Sequence, residues 1–250
     1  MTREQRTVFG EVADLYERTR PAYPEALFDA VLEYGDLRPG DRALEIGAGT
    51  GKATRAFAAR GLDIVALEPA PGMAAVLRET HSPVVESTFE DTPIEPETFA
   101  LVYAAQAWHW VDQSVSYDRA ADALRTRGTI ALFWNVPEEW DGDLGADIDS
   151  VYSEHAPALL RASEQWDLDA TLTELEASGR FDEVTKRTFP WIQTYTTDEY
   201  VALMGTHSNH RMLDDENRAR LHGAVGEVVV RHGGVVDVTY NASVYLGRRR

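Results

Sequence analysis

The 250-residue sequence contains no cysteine, which excludes disulfide bonds and thiolate metal sites. It also has no stretch approaching the ~20 consecutive apolar residues that a membrane-spanning helix requires. Its N-terminal stretch, MTREQRTVFGEV, contains no apolar run of signal-peptide length. We therefore expect a soluble protein that contacts no membrane and stays where it is made, with the cytoplasm as its default location.

Positive charge is scarce, since 24 lysines and arginines face 42 aspartates and glutamates, for a net charge of −18. A nucleic-acid binder needs a basic surface that displaces counterions from phosphate, and an acidic surface repels that polymer. The charge balance therefore predicts no nucleic-acid partner and favours a small-molecule substrate. A hydrophobic content of 44% is ordinary for a folded domain.

The first half of the sequence alternates strand and helix patterns at short intervals, which is typical of a parallel sheet with crossover helices. Strands are predicted at residues 42–46, 63–67, 84–87, 99–105 and 128–136. Helices are predicted between them at residues 50–60, 71–79 and 115–125. This order predicts an α/β fold of the Rossmann-like, doubly wound type, with helices on both faces of the sheet.

The alternation stops after Pro137, and residues 138–180 show an acidic, mostly helical pattern. It is followed by predicted strands at 183–195 and 235–246 and predicted helices at 197–204 and 214–232. We therefore predict a seven-stranded, mostly parallel sheet with a helical insertion between strands five and six.

The chain shows no internal repeat or linker, so residues 1–250 are predicted to form one domain. Residues 1–34 would form an N-terminal helical cap, broken at Arg20–Pro24 by two prolines, and residues 137–180 a lid-like insertion. Residues 8–24 and 137–180 lie outside the strand–helix alternation, and they are predicted to cover the ligand cleft together and to be more mobile without ligand.

The most informative segment is the glycine-rich stretch Leu44–Gly51, where a predicted strand runs into a turn that opens a helix. A dinucleotide fingerprint beginning at Gly47 requires glycine or alanine where Lys52 stands. A phosphate-binding Walker loop that ends in Gly51-Lys52 requires glycine in place of Ile46, and serine or threonine after the lysine. Neither nucleotide-binding motif is therefore present.

The remaining pattern consists of Glu45, Gly47, Gly49 and Gly51, and it resembles motif I of the class I S-adenosylmethionine-dependent methyltransferases. An acidic side chain at Glu45 suits a ligand that carries an ammonium group. Glu68 ends the second predicted strand, where a carboxylate can accept hydrogen bonds from both ribose hydroxyls of a bound cofactor.

The resemblance extends to the ends of later strands. Pro69 and Met73 resemble the segment in which a methionine commonly packs on adenine, and Phe89 and Glu90 resemble the segment that contacts the adenine edge. Many members carry an aspartate where this chain has Thr88. The resemblance implies S-adenosylmethionine as cofactor, bound by Tyr16, Arg20, Glu45, Gly47, Gly49, Gly51, Glu68, Pro69, Met73, Phe89, Glu90 and Gln106.

The segment Ala105–Asp112 and the N-terminal pattern from Tyr16 to Pro24 are similar to the methyltransferase type 11 group, in particular to its trans-aconitate and ubiquinone-biosynthesis branches. Ligands of open parallel sheets bind at the carboxyl ends of the strands. We therefore predict His109 as a general base, with His155, His207 and His210 as alternatives. Tyr16 and Arg20 either close over the cofactor or hold a substrate carboxylate. The predicted substrate-binding residues are Tyr23, Trp108, Trp110 and Trp134.

The reaction implied is an in-line methyl transfer to a small molecule, in which holding the reacting atoms collinear supplies most of the catalysis. No metal is expected. Two other functions stay open: a protein that binds S-adenosylmethionine or its product without turnover, and a nucleotide-cofactor oxidoreductase. The sequence does not indicate the acceptor atom, the acceptor molecule or the oligomeric state.

Overall fold

The computed structural model describes residues 13–162 and 170–250. Seven strands form one sheet in the order β3-β2-β1-β4-β5-β7-β6. Their bounds are Arg42–Ile46 (β1), Asp63–Leu67 (β2), Val84–Val85 (β3), Phe99–Ala105 (β4), Leu124–Pro137 (β5), Phe181–Thr196 (β6) and Val235–Arg249 (β7). Strands β1 to β5 run parallel, whereas β7 pairs antiparallel with both β5 and β6. The predicted seven-stranded, mostly parallel Rossmann-like sheet is confirmed.

Helices flank the sheet in the order that the sequence predicts. They are Ala13–Thr19 (α1), Glu25–Gly35 (α2), Lys52–Ala59 (α3), Pro71–Arg78 (α4), Ser116–Ala123 (α5), Gly142–His155 (α6), Pro157–Ala162 (α7), Ala170–Ala177 (α8), Thr197–Met204 (α9), Ser208–Arg211 (α10) and Asp215–Arg231 (α11). Helices α6 to α8 form the predicted insertion between β5 and β6. No helix in the described ranges is both long and apolar enough to cross a membrane.

The central strand β4 shows why helices are needed on both faces. Successive side chains of a strand point to opposite faces, so Leu101 and Tyr103 join the cluster of buried residues formed with α2 and α3. Val102 and Ala104 instead join the cluster that contains residues of α5 and α8. Burial on both faces explains the continuously apolar strand.

Some element bounds differ from the predicted ones. Strand β3 has only two residues, and β5 begins four residues before the predicted start at Gly128. The short helix α10 was not among the predicted elements. A third cluster of buried residues, which includes Tyr195, Leu203 and Val225, joins α9 and α11 to the β6–β7 end of the sheet.

Candidate cofactor site

A cleft opens to solvent at the carboxyl ends of β1, β2 and β4. Ligands of doubly wound sheets bind at this edge. Ten of the sequence-predicted residues line the cleft: Tyr16, Gly47, Gly49, Glu68, Pro69, Met73, Phe89, Glu90, Gln106 and Trp110. The sequence prediction missed six others, namely Ile46, Ser87, Thr88, Ala105, Ala107 and Val111. These lie beside predicted residues at strand ends, and their small or apolar side chains carry no chemical signal of their own.

The loop after β1 forms the floor of the cleft. Gly49 has a φ of +58°, and a Cβ added there would meet no protein atom within 4 Å, so a side chain would project into open space. At Gly47, with a φ of +66°, an added Cβ would stand 2.5 Å from the Cβ of Ala107. Gly47 thus permits close packing against the segment after β4, while Gly49 leaves room for a ligand to approach the backbone.

Gly51 does not line the cleft. It is the N-cap of α3 and lies against Leu77 of α4, where an added Cβ would stand 2.3 Å from the leucine Cδ1. The third glycine of the motif therefore allows α3 and α4 to pack closely and does not contact the cleft.

Glu68 stands at the end of β2 with only 6% of its surface exposed. One carboxylate oxygen accepts a hydrogen bond from Gly49 N and the other from Ala70 N, each at 2.7 Å. Burial raises the pKa of Glu68 to about 7, although these two hydrogen bonds oppose the shift. Each carboxylate oxygen has two lone pairs, so Glu68 can accept further hydrogen bonds from a ligand in the cleft.

Glu45 lies behind the cleft wall and is fully buried. Its Oε2 accepts hydrogen bonds from the hydroxyls of Thr54, at 2.5 Å, and Tyr103, at 2.8 Å. Its Oε1 is buried without a hydrogen-bond donor. Burial raises the pKa of Glu45 to about 8, more than the two hydrogen bonds lower it. With a pKa of about 8, Glu45 holds a proton at neutral pH and lies outside the cleft lining, so it does not provide the negative charge that the resemblance implies for a cationic group.

The raised pKa of Glu45 should make folding stability depend on pH. Between the unfolded pKa of 4.5 and the folded pKa of about 8, the folded state holds a proton that the unfolded state has lost. The stability that this proton contributes is therefore fully present below pH 4.5 and is lost as pH rises through about 8. We expect the stability difference between the Glu45→Gln variant and the natural protein to change by roughly 4 kcal/mol between about pH 5 and pH 9.

Denaturant unfolding at several pH values measures this change. As pH rises, the free energy of unfolding of the Glu45→Gln variant should increase relative to that of the natural protein. Glu86→Gln is the matched control, because Glu86 is exposed and pairs with the exposed Arg78. A pH-independent difference for Glu45→Gln would show that Glu45 is ionised in the folded protein.

Gln106 directly follows β4, lines the cleft and has an unusual backbone conformation. Its φ is +58°, which costs a residue other than glycine about 1–2 kcal/mol. Its backbone N–H donates to Phe133 O at 2.9 Å, and its side-chain Nε2 donates to Asn135 O at 3.1 Å. Two hydrogen bonds to the end of β5 therefore hold the strained residue where it lines the cleft.

The residues that follow β3 line the opposite side of the cleft. Phe89 is 2% exposed and lies under the guanidinium of Arg119, which also donates to Phe89 O at 2.8 Å. Glu90 Oε1 accepts a hydrogen bond from Asp112 N at 2.8 Å. Thr88 Oγ1 donates to Asp91 Oδ2 at 2.9 Å, so this threonine orients a neighbouring carboxylate.

His109 has a different environment from the one that a general base requires. It lies in a 3-10 turn, Trp108–Trp110, and its Nδ1 accepts a hydrogen bond from Trp134 Nε1 at 3.2 Å. Burial lowers the pKa of His109 to about 3. An effective base has a pKa near the working pH, and the Nδ1 lone pair is already occupied. The geometry therefore argues for a structural role.

We expect His109 to remain a neutral Nε2–H tautomer throughout the physiological pH range, because Trp134 donates to Nδ1. Nitrogen-15 NMR of the imidazole ring reports both tautomer and titration. Removing the acceptor in His109→Ala should cost about 1–3 kcal/mol of stability, since the indole N–H is left buried and unsatisfied. Titration near the ordinary pKa of about 6.5 would restore His109 as a candidate base.

Most of the predicted substrate-binding aromatics lie outside the cleft wall. Trp108 is 2% exposed and packs against Tyr117 in the core. Trp134 is 3% exposed and packs edge-on against Tyr245. Tyr23 packs edge-on against Phe133, with ring centroids 5.0 Å apart. Of the four predicted side chains, Trp110 lines the cleft.

The three alternative histidines also lie elsewhere. His210 is buried, with Nε2 3.2 Å from Tyr152 Oη and Nδ1 3.1 Å from His222 Nε2. His207 stands edge-on to His210, and His155 ends α6. None of them lines the cleft. Within residues 13–162 and 170–250, no group of three histidine or acidic side chains has an arrangement suited to a metal ion.

The N-terminal cap reaches the cleft through α1. Tyr16 lines the cleft, and Ala13 packs with Met73 of α4. Glu17 receives a hydrogen bond from Arg55 at 2.5 Å, and Lys52 donates to Glu17 O at 2.6 Å, so α1 is tied to the helix that follows the glycine loop. Residues 1–12 of the predicted cap lie outside the described residues, and no described residue of 137–180 lines the cleft.

Hydrogen exchange tests the prediction that both segments cover the cleft. We expect α1 to gain protection when S-adenosylhomocysteine is added, because Tyr16 lies in the cleft wall. A similar gain in α6 would extend the lid to the insertion. No gain in α1 would contradict the cap's role.

Comparison with known proteins agrees with this architecture. Residues 44–132 match the family model described as a methyltransferase domain. An uncharacterised methyltransferase of Mycobacterium tuberculosis is 38% identical over 148 residues, which are 57% of this chain and 59% of that protein. The chain thus spans less than two thirds of the length of this relative. An uncharacterised methyltransferase-like protein of Schizosaccharomyces pombe is 29% identical over 225 residues, covering 87% of this chain and 84% of that protein.

Solved structures share the fold. A protein of Anaeromyxobacter dehalogenans assigned as a type II methyltransferase superposes with a TM-score of 0.65 at 21% identity, covering 92% of this chain and 97% of that one. A phosphoethanolamine N-methyltransferase of Haemonchus contortus, in complex with phosphomonomethylethanolamine and S-adenosylhomocysteine, superposes with a TM-score of 0.56 at 14% identity, covering 99% of this chain and 58% of that one. Residues 44–132 thus match a methyltransferase domain, and the chain shares its fold with solved methyltransferase structures.

Proposed function

We propose that this protein binds S-adenosylmethionine in the cleft and transfers its methyl group to a small-molecule acceptor by in-line displacement. The observation that carries the proposal is the position of Glu68. Its carboxylate lies in the cleft wall at the end of β2 and accepts a hydrogen bond from Gly49 of the glycine loop. This is where a ribose would lie in a doubly wound fold.

The surrounding residues fit the cofactor. Gly49 leaves open space above the loop. Met73 and Phe89 offer apolar surface for a base, and Glu68 offers acceptors for the two ribose hydroxyls. When bound, S-adenosylmethionine supplies an activated methyl group on a sulfonium.

The chain's own contribution would be to position the reactants and exclude water. The sulfonium already activates the methyl group, so collinear placement accounts for most of the rate. His109 is held by Trp134 with its pKa lowered to about 3 by burial, and we therefore assign it no proton transfer. An acceptor that already has a nucleophilic lone pair needs no base.

A small acceptor suits the charge of the protein. A net charge of −18 disfavours a polyphosphate polymer.

Calorimetry with S-adenosylhomocysteine and NAD, followed by a tritium-methyl transfer screen over candidate metabolites, tests the proposal. We expect S-adenosylhomocysteine to bind and NAD not to bind. NAD binding alone would favour the oxidoreductase alternative. Tight S-adenosylhomocysteine binding with no methyl transfer to any acceptor would favour a ligand-binding protein without turnover.

A further inference from the structure

Asn135 is a buried polar residue in a strand whose neighbouring residues are apolar. It lies near the carboxyl end of β5, directly after Phe133 and Trp134, and only 7% of its surface is exposed. A buried amide is costly unless its polar atoms are hydrogen-bonded. An apolar residue would fill the core at this position without that cost, so the contacts of Asn135 require an explanation of their own.

Two partners fix the orientation of the Asn135 side chain. Its Oδ1 accepts a hydrogen bond from Trp191 Nε1 at 3.1 Å, and its Nδ2 donates to Ala22 O at 2.7 Å. An indole N–H can only donate and a backbone carbonyl can only accept, so the amide fits in one orientation. Asn135 therefore joins β6 and the segment between α1 and α2 to the end of β5.

The backbone of Asn135 holds the side chain of Gln106. Gln106 Nε2 donates to Asn135 O at 3.1 Å, and Gln106 lines the cleft. Because this carbonyl can only accept, the amide nitrogen of Gln106 is directed to β5, and its Oε1 remains for another hydrogen bond. One residue of β5 thus anchors both the cleft wall after β4 and the segment that precedes α2.

The segment between α1 and α2, residues 20–24, is stiff. Pro21 and Pro24 each have a fixed φ, and they restrict the residues before them to extended conformations. Tyr23 packs edge-on against Phe133 of β5, with ring centroids 5.0 Å apart. A segment with so few accessible conformations transmits the position of its anchor on β5 to the helix that precedes it.

Helix α1 places Tyr16 in the cleft wall at the other end of this segment. Arg20 N donates to Tyr16 O at 3.0 Å, so the segment continues directly from the last turn of α1. Arg20 was predicted to bind the cofactor, but it does not line the cleft, and its Nη2 donates to Thr206 O at 3.0 Å. In the structure Arg20 therefore holds the end of α1.

We propose that Asn135 is a positioning residue that holds α1, and with it Tyr16, against the cleft before the ligand binds. The inference rests on the proposed methyltransferase function of this cleft. Asn135 does not itself line the cleft. It acts through residues 20–24, which it ties to the same point of β5 as Gln106. A site whose parts are already in place loses no affinity to conformations that cannot bind.

Isothermal titration calorimetry of the full chain with S-adenosylhomocysteine tests the inference. Asn135→Asp keeps the size of the side chain and an acceptor for Trp191, but an ionised carboxylate cannot donate to Ala22 O. We expect this variant to bind S-adenosylhomocysteine about 3- to 10-fold more weakly, the range for loss of one hydrogen bond. Hydrogen exchange of the ligand-free variant should be faster in residues 13–24.

The pH dependence separates positioning from a general loss of stability. A protonated carboxyl group at position 135 again has an O–H donor for Ala22 O, and burial raises the pKa of a carboxyl group. The ratio of the affinities of the natural protein and Asn135→Asp should therefore approach one as pH falls. A ratio that stays constant would show that the hydrogen bond to Ala22 does not position the ligand site.

Ser243→Ala is the matched control. Ser243 is buried on β7 opposite Trp134, and its hydroxyl oxygen is 3.0 Å from Thr188 Oγ1. The substitution removes a hydrogen bond between β6 and β7 that does not involve residues 20–24. Thermal unfolding should show a loss of stability in both variants, and only Asn135→Asp should lose affinity for S-adenosylhomocysteine.

Pro21→Gly loosens the same segment from outside the core, so it tests the inference even if Asn135→Asp does not fold. We expect it to weaken S-adenosylhomocysteine binding as well. Full affinity in either folded variant, or equally fast exchange of residues 13–24 in Ser243→Ala, would overturn the inference. Failure of S-adenosylhomocysteine to bind the natural protein would instead refute the methyltransferase proposal itself.

Discussion

Replacing Gly49 with valine is expected to lower the affinity for S-adenosylhomocysteine by about two orders of magnitude or more. The residue lines the cleft, and a side chain there would point into space that no protein atom occupies within 4 Å. Its backbone N–H also donates to Glu68, so displacement of the loop would disturb the carboxylate that we propose binds the ribose. Calorimetric titration of the folded variant measures the loss.

The control for Gly49→Val is Gly179→Val. Gly179 is exposed, has a φ of +68°, and an added Cβ there would also meet nothing within 4 Å. Both variants therefore carry a similar backbone cost of about 1–2 kcal/mol for placing a branched residue in the left-handed region. Thermal unfolding should show similar destabilisation, and only Gly49→Val should lose binding. Equal ligand affinity in the two variants would mean that the loop does not contact the cofactor.

Replacing Glu68 with alanine should cost about 2–4 kcal/mol of S-adenosylhomocysteine affinity, the range for losing charge-assisted hydrogen bonds to two hydroxyls. Calorimetry at a pH well above the carboxyl pKa measures the effect. Glu86→Ala is a suitable control, because it removes an exposed carboxylate that pairs with Arg78 after the neighbouring strand β3. Unchanged affinity in Glu68→Ala would refute the ribose assignment.

The pKa of Glu68 adds a sharper test. Burial raises the pKa of Glu68 to about 7 in the free protein. The ionised carboxylate can accept a hydrogen bond at each oxygen, one from each ribose hydroxyl, whereas the protonated form carries an O–H donor at one oxygen. Affinity should therefore be full at alkaline pH and should fall as pH drops below about 7. Glu68→Gln should bind more weakly with little dependence on pH across the same range. An equal pH dependence in both proteins would assign the titration to another group.

The residues that line the cleft were largely predictable, because they follow from local order along the chain. Glu68 could be assigned because it ends a strand one helix after the glycine loop, and parallel strands bring their carboxyl ends to one edge. Glu45 was identified from the same motif, yet it lies behind the wall. Its backbone position follows from sequence, but the direction of its side chain depends on which sheet face α3 covers.

Predictions based on residue type alone were less successful. His109 follows a strand end, as a catalytic histidine often does, but Trp134 of a different strand occupies its Nδ1. Trp108 and Trp134 have the bulk and polarity of substrate-binding aromatics, but both are buried in the hydrophobic core. Burial and hydrogen-bond partners decide such roles, and both come from segments distant in sequence.

The sequence by itself determined the alternating α/β order, the glycine loop and the carboxylate after β2, because local periodicity and short residue spacings specify each of them. Only the tertiary structure decided that β7 enters antiparallel between β5 and β6. It likewise decided that Arg20 donates to Thr206 O, which is 186 residues away in the chain. Contacts of this range are set by how the layers pack, since no local pattern specifies which distant side chains share a buried volume.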